Sequence, residues 1–204
     1  MAVTCPGCSR RYDGSLFPLG RTLHCTCGER VGPSRPLAIR GDPDRPRFIA
    51  DAMLGRLARW LRTLGYDTAY DDAIDDAELV RRAFAEGRYL LTRDRKLFVE
   101  WRVEGGLLVD ADAPLEQLAQ VVDVFALPRP DRLFTRCRIC NGRLEAVDRD
   151  EVVDRVPARV RARTWSFAQC PECGRVYWEG SHTDRMRRVL DLLFASSVSD
   201  GAPG

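Results

Sequence analysis

An α/β domain built on a parallel sheet and bracketed by two small cysteine-bearing modules is the architecture that this 204-residue sequence predicts. Three observations carry the prediction. Between residues 47 and 127 short apolar runs alternate with segments of helical periodicity, the pattern of strand–helix–strand units whose crossover helices cover both faces of a parallel sheet. Eight cysteines fall into two sets of four, Cys5, Cys8, Cys25 and Cys27 early and Cys137, Cys140, Cys170 and Cys173 late, with none between the sets. The length is enough for one main core with appendages, not for two large domains.

The α/β segment is justified element by element. "RFIAD" is a short strand, and "MLGRLARWLRTLG" follows it with Leu54, Leu57, Leu61 and Leu64 at helical spacing and Gly65 as the stop. "DTAY" is a second strand, "DDAELVRRAFAEG" a helix ending at Gly87, and "RYLLT" a third strand. "RDRKLFVEW" is a short helix, "GGLLVD" a fourth strand, and "PLEQLAQVVDVFAL" a helix closed by Pro128. Ahead of this segment, "VGPSRPLAIRGDPDRPRF" is too rich in Pro, Gly and charge for a helix or central strand and reads as a linker. Such a linker lets the early module bind a protein partner without shaping the rest of the chain.

No apolar run is long enough to span a bilayer, and the N-terminus lacks the apolar core of a signal peptide, so a soluble, cytoplasmic chain with reduced cysteines is expected. CxxC knuckles in a reducing compartment fit tetrahedral thiolate sites for two structural zinc ions. In the early set "HCTCG" has one residue between its cysteines and offers His24 as a competing ligand. Charge is distributed unevenly beneath a net +2. Residues 1–46 carry seven basic and four acidic side chains, 47–126 carry 11 and 15, and 131–190 carry 13 and nine. Basic ends around an acidic centre suit a chain that approaches a polyanion while concentrating carboxylates.

In a parallel sheet the functional edge is where strands end and helices begin. Asp51 ends the first strand, Asp75 and Asp76 open the second helix, and Asp94 follows the third strand. Any one of them suffices as a helix cap. Three at successive junctions of one edge repel one another unless a cation compensates, which points to a site for a divalent metal.

The stretches "FIADAMLGRLARWLRTLGYDT", "DDAELVRRA" and "LLTRDRKL", followed by "CRICNGRLEAV" and "CPECGRVYWEGSHTDRM", resemble the Mut-seven C-terminal RNase domain family over about residues 47 to 190. The resemblance implies a PIN-like nuclease domain at 47–127 followed by a zinc ribbon at 131–182. Around these lie an N-terminal zinc-binding module at 1–32, a linker at 33–46, a C-terminal helix at 183–196 and a disordered tail at 197–204. It also implies a divalent-metal-dependent ribonuclease with Asp51, Asp76 and Asp94 as catalytic acids. Asp75 and Glu78 are near enough to substitute for Asp76, and Asp110 and Asp112 are candidates for a fourth acid.

Carboxylate oxygens suit Mg²⁺ or Mn²⁺ and thiolates suit zinc, so the chain separates two kinds of metal by ligand softness. Thr92 either positions a metal-bound water or is only a β-branched residue finishing its strand. Arg56, Arg59 and Arg62 on the first helix, Arg93 and Arg95 beside Asp94, and Arg175, Trp178 and His182 in the late segment are the candidate RNA contacts. Trp165, Phe167, Tyr177 and Trp178 can stack unpaired bases or fill a thin core. Competing readings are a non-enzymatic adaptor for RNA or protein, in which the acids only cap helices, and a nuclease acting on DNA.

Overall fold

The computed structural model describes residues 2–33, 35–162, 164 and 166–197, which divide into two compact units, Met1–Ala58 with Thr68–Asp112 and Arg59–Asp67 with Ala113–Gly204. Trp165 and the expected tail beyond residue 197 lie outside the described residues. None of the described helices is long and apolar enough to cross a membrane.

The first unit opens with two antiparallel hairpins, β1 (Ala2–Thr4) with β2 (Arg11–Asp13) and β3 (Leu23–His24) with β4 (Arg30–Val31). Each hairpin turn carries one pair of the early cysteines, and Cys5, Phe17, Cys25 and Val31 form the small core between them. The expected linker is then interrupted by β5 (Leu37–Ala38).

Next come β6 (Phe48–Ala50), a 3-10 turn at Ala52–Leu54, α1 (Gly55–Thr63), β7 (Thr68–Tyr70), α2 (Asp76–Glu86), β8 (Tyr89–Thr92), α3 (Arg95–Trp101), β9 (Val103–Glu104) and β10 (Gly106–Leu108). The sheet order is β10-β8-β6-β7, parallel throughout. α2 begins where the Asp75 side chain accepts the Glu78 N–H at 2.8 Å, and it ends at Gly87 in the left-handed region. Its buried face, Leu79, Val80 and Ala83, packs with Ile49 and Leu90 of the sheet.

The linker expectation fails on three counts, all within this unit. β5 pairs in parallel with β9, and the Ile39 N–H donates to the Glu104 carbonyl at 2.7 Å. Ile39 is buried in the same cluster as Ile49, Leu79, Leu90 and Trp101. Gly105 takes a positive φ of 92°, and a Cβ there would meet the Ile39 carbonyl oxygen at 2.5 Å, so the close approach of this strand depends on a glycine.

The N-terminal module is also docked, not tethered. Thr22, itself buried, donates from its backbone N–H and its hydroxyl to the Glu100 carbonyl of α3, and Arg21 donates to the Glu100 carboxylate at 2.8 Å while lying over the Trp101 ring. Arg30 donates to the Val99 carbonyl at 2.9 Å. Prolines at 33, 36, 43 and 46 made the segment look free, but a two-residue strand needs only one turn of pairing and one buried Ile.

The second unit takes the C-terminal part of α1 together with α4 (Pro114–Val124), which the expected boundary near residue 127 had assigned to the α/β domain. It continues with β11 (Glu145–Val147), the single-turn helices α5 (Arg149–Val152) and α6 (Ala158–Arg161), β12 (Phe167–Gln169), β13 (Val176–Trp178) and α7 (Ser181–Ser197). β11, β12 and β13 form an antiparallel sheet whose core is Val152, Val156 and Phe167.

Replacing Ile39 with Ala should therefore lower unfolding free energy by about 2–5 kcal/mol in denaturant titration, the cost of emptying a packed core position. A change within about 0.5 kcal/mol, as at a surface site, would return residues 33–46 to a linker.

Candidate active site

Two adjacent parallel strands bring the first pair of carboxylates to one edge. The register pairs Ala50 with Leu91, and the Asp51 N–H donates to the Leu91 carbonyl at 2.9 Å, so Asp51 leaves β6 level with Thr92 at the end of β8. There the fully buried Thr92 hydroxyl donates to the Asp51 carboxylate at 2.5 Å and accepts the Asp94 N–H at 2.9 Å. One hydroxyl thus ties both acids to the strand ends and spends its single proton on Asp51. Asp51 is 6% exposed. Asp94 remains partly exposed and caps α3 by accepting the Lys96 N–H at 2.7 Å.

Asp76 completes the group from the first turn of α2. Partial desolvation, followed by the negative charges of Asp94, Asp51, Glu100 and Asp75, pushes its carboxyl above the ordinary range. It is close enough to feel both other acids, yet the three are not gathered as tightly as the cysteines are. Among the described residues, only the two cysteine sets bring three or more ligand atoms within 4.8 Å of one another. The donor set fits a hard cation that keeps several of its waters and takes only one or two carboxylates directly, as Mg²⁺ does.

The supporting acids are occupied elsewhere. Asp75 is the N-cap of α2, Glu78 pairs with Arg81 at 2.5 Å, Asp110 pairs with Arg95 at 2.9 Å, and Asp112 pairs with Arg93. Arg93 and Arg95, read from the sequence as phosphate contacts, are the partners of the two acids read as a fourth ligand. Arg56 is exposed on α1. Glu100, which no sequence motif singled out, belongs to the neighbourhood because it raises Asp76 and anchors Arg21. Only the fold, which sets α3 beside α2, reveals it.

Each cysteine set can hold a zinc ion. The early sulfurs stand 3.5 Å apart for Cys5–Cys27 and for Cys8–Cys25, and the late ones 3.6 Å for Cys137–Cys173 and 3.3 Å for Cys140–Cys170. These separations exceed a ~2.05 Å disulfide by far and approach the edge, about 3.8 Å, of a tetrahedron with ~2.3 Å Zn–S bonds. His24 lies outside the early group, its ring 3.5 Å from the Gly28 carbonyl. The N–H of Cys27 and the Tyr12 hydroxyl bring the Cys25 thiol down to about 5. Burial, opposed by a backbone N–H, and hydrogen bonds to neighbouring sulfurs push Cys140 up to about 12. Without a cation four thiolates cannot share so small a space, so some keep their protons; a divalent ion removes that conflict.

In the second unit Arg62 is 2% exposed and donates to the carbonyls of Arg138 and Ile139, at 3.1 and 2.6 Å, inside the Cys137–Cys140 knuckle. The guanidinium is therefore spent on the backbone of the cysteine knuckle and is not open to a phosphate. Phe167 is buried in the small core and the Tyr177 hydroxyl lies 3.0 Å from the Cys137 sulfur, so these two aromatics serve the interior. Trp178 is half-buried, and Arg59, Arg175 and His182 are exposed.

Arg62→Met keeps the stem but leaves two knuckle carbonyls without their donor; hydrogen bonds to a charged group contribute about 1.5–3 kcal/mol each. We expect this variant to release its second zinc to a chromogenic chelator faster than the wild type does, with unchanged release of the first. Identical release curves would show that Arg62 does not support the late knuckle.

Neither the curated proteins nor the solved structures contain a match to the chain. A family profile does match, described as the Mut7-C RNAse domain and covering residues 46–190, which takes in the acids at the strand ends and all four late cysteines. That description points to a nuclease, and on the extent of the match the chain belongs to the Mut7-C RNase domain family.

Proposed function

We propose that the protein is a ribonuclease that hydrolyses RNA phosphodiester bonds with Mg²⁺ or Mn²⁺ held by Asp51, Asp76 and Asp94, and that its two cysteine sites carry structural zinc. The observation that carries this reading is the Asp51–Thr92–Asp94 chain at the ends of two adjacent parallel strands, with Asp76 raised by both acids. Helix capping explains Asp94 and Asp75 but not Asp51, whose side chain caps nothing and is buried. β6 is followed by a crossover to β7 on one side and neighbours β8 on the other, so Asp51 stands at the switch point where ligands of open parallel sheets bind.

When bound, the divalent ion lowers the pKa of a coordinated water and offsets charge on the phosphoryl oxygens. The chain's own residues supply the rest. Asp51 is held in one orientation by the Thr92 hydroxyl. Asp94 is fixed through its backbone N–H and its cap, leaving its second carboxylate oxygen for a ligand. Asp76, its carboxyl raised by burial and by the neighbouring acids, is the group whose charge a cation at this edge would most relieve. The N-terminal module serves this arrangement as a buttress, gripping α3 at Glu100 while Asp94 caps the other end of the same helix.

Asp51→Asn and Asp94→Asn should each abolish metal-dependent cleavage of a short RNA while keeping circular dichroism and zinc content, because Asn retains the shape at both positions, and the capping oxygen at Asp94, but not the charge. A double variant that cleaves at the wild-type rate would dismiss the site, and equal cleavage of matched DNA would widen the substrate class.

Asp76 yields a separate test on stability. Its carboxyl holds a proton more tightly folded than unfolded, so its contribution is present below the ordinary carboxylate range and is lost as pH rises through the elevated value. Asp76→Asn should then melt no lower than the wild type at pH 7 without divalent ions, and added Mn²⁺ should raise the wild-type Tm more than the variant's. A variant that melts several degrees lower without metal would show that Asp76 is a structural residue. Cleavage by the wild type should also fall as pH drops through the raised Asp76 value.

A further inference from the structure

The second unit contains a cleft of about 550 Å³ whose walls include Arg59, Arg138, Arg155 and Arg175, with Tyr177 and Trp178 beside them and no acidic residue in its lining. Its volume falls in the ~300–1,000 Å³ range of ligand clefts. Four arginines line it without a carboxylate, although the protein pairs many of its arginines elsewhere. Arg93, Arg95, Arg81 and Arg129 all meet acids.

One of the four is held in place, one is partly buried, and two are open. Arg155 is fixed by the Gly174 carbonyl at 3.1 Å and the Gln169 side chain at 2.9 Å. Arg138 rides on the knuckle loop whose carbonyls Arg62 braces, and its Nε is buried without a hydrogen-bond acceptor. A buried orphan donor on a charged group costs stability, so an anion in the cleft gives this guanidinium reason to turn outward and be satisfied. Arg59 and Arg175 are exposed, and among the described residues their side chains make no hydrogen bond or ion pair. Trp178 offers a half-buried indole beside them, anchored in the ribbon core with Val152 and Phe167.

The geometry points to this cleft as a binding site for one unpaired nucleotide of single-stranded RNA, its phosphate held by Arg59, Arg138 and Arg175 and its base stacked on Trp178. The inference rests on the reading of the protein as RNA-acting, and adds to it a site apart from the carboxylates. Arginines supply planar, forked donors for phosphate oxygens, and an indole face accepts any base without reading its edges. The site therefore favours a strand whose bases are free over one whose bases are paired, and it does not discriminate sequence.

The test uses the full-length, zinc-loaded protein and a fluorescein-labelled unstructured oligoribonucleotide, with anisotropy measured across a KCl series in the absence of divalent ions. Arg59→Ala/Arg175→Ala should weaken binding and reduce the slope of log K against log salt by about 0.7, the share of the one phosphate that the two side chains help to hold. Trp178→Leu should weaken binding about tenfold and Trp178→Phe much less, since the ring and not the bulk stacks. A duplex of the same sequence should bind more weakly than the single strand.

Zinc content and circular dichroism identify any variant that fails to fold, and the double arginine variant changes only exposed side chains. An unchanged salt slope, or equal binding of duplex and single strand, overturns the cleft. Cleavage with Mn²⁺ separates the two readings. Intact cleavage with unaltered binding by the arginine variant refutes the cleft alone. Wild-type protein that binds as described but never cleaves refutes the nuclease alone.

Discussion

A single hydroxyl organises the acidic edge. Thr92 is fully buried, donates to Asp51 and accepts from the Asp94 N–H, so one side chain links the ends of β6 and β8 to the start of α3. A hydrogen bond to an ionised carboxylate in so dry a setting contributes about 1.5–3 kcal/mol, and it fixes the carboxylate's direction as well. The arrangement exists only in the observed register. A slip of one residue would turn Thr92 to the other face and separate the two acids. The apolar strands Phe48–Ala50 and Leu90–Leu91 hold that register because every one of these residues is buried.

The second constraint is the assignment of soft and hard donors to different parts of the chain. Thiolates sit on tight hairpin turns, where backbone N–H groups point at sulfur, while carboxylates sit at strand ends, where charge repulsion is left partly unrelieved. The cysteine modules are not ornaments on this plan. The early one grips α3 through Thr22, Arg21 and Arg30, and the late knuckle has a buried arginine from α1 inside it. Loss of zinc would loosen the helices themselves, because these contacts come from residues that the metal loops position.

Much of this was legible in the sequence because period and spacing are local properties. The four parallel strands and their helices follow from short apolar runs and 3.6-residue periodicity, and the cysteine sets follow from knuckle spacing. Asp51 and Asp94 were visible as acids at strand ends. The remaining features are non-local. β5 is two residues long and owes its existence to β9, some 65 residues later, and to the glycine at 105 that lets Ile39 approach. Arg62 has the same spacing as Arg59 on α1, and only packing distinguishes the buried brace from the exposed cation. Arg93 and Arg95 looked like phosphate ligands because the loop carrying Asp110 and Asp112 is distant in sequence. Glu100 lies in no motif, and Arg138 occupies an unspecified position between the cysteines of a knuckle.

We propose Asp51, Asp76 and Asp94 as a hard-cation site distinct from the cysteine sites. The most direct measurement is electron paramagnetic resonance of Mn²⁺ titrated into the zinc-loaded full-length chain and its Asp51→Asn variant. The account predicts that the wild type depletes the signal of free aqueous Mn²⁺ and that the variant leaves it near the protein-free level. Equal depletion by both proteins, at unchanged zinc content, would contradict it.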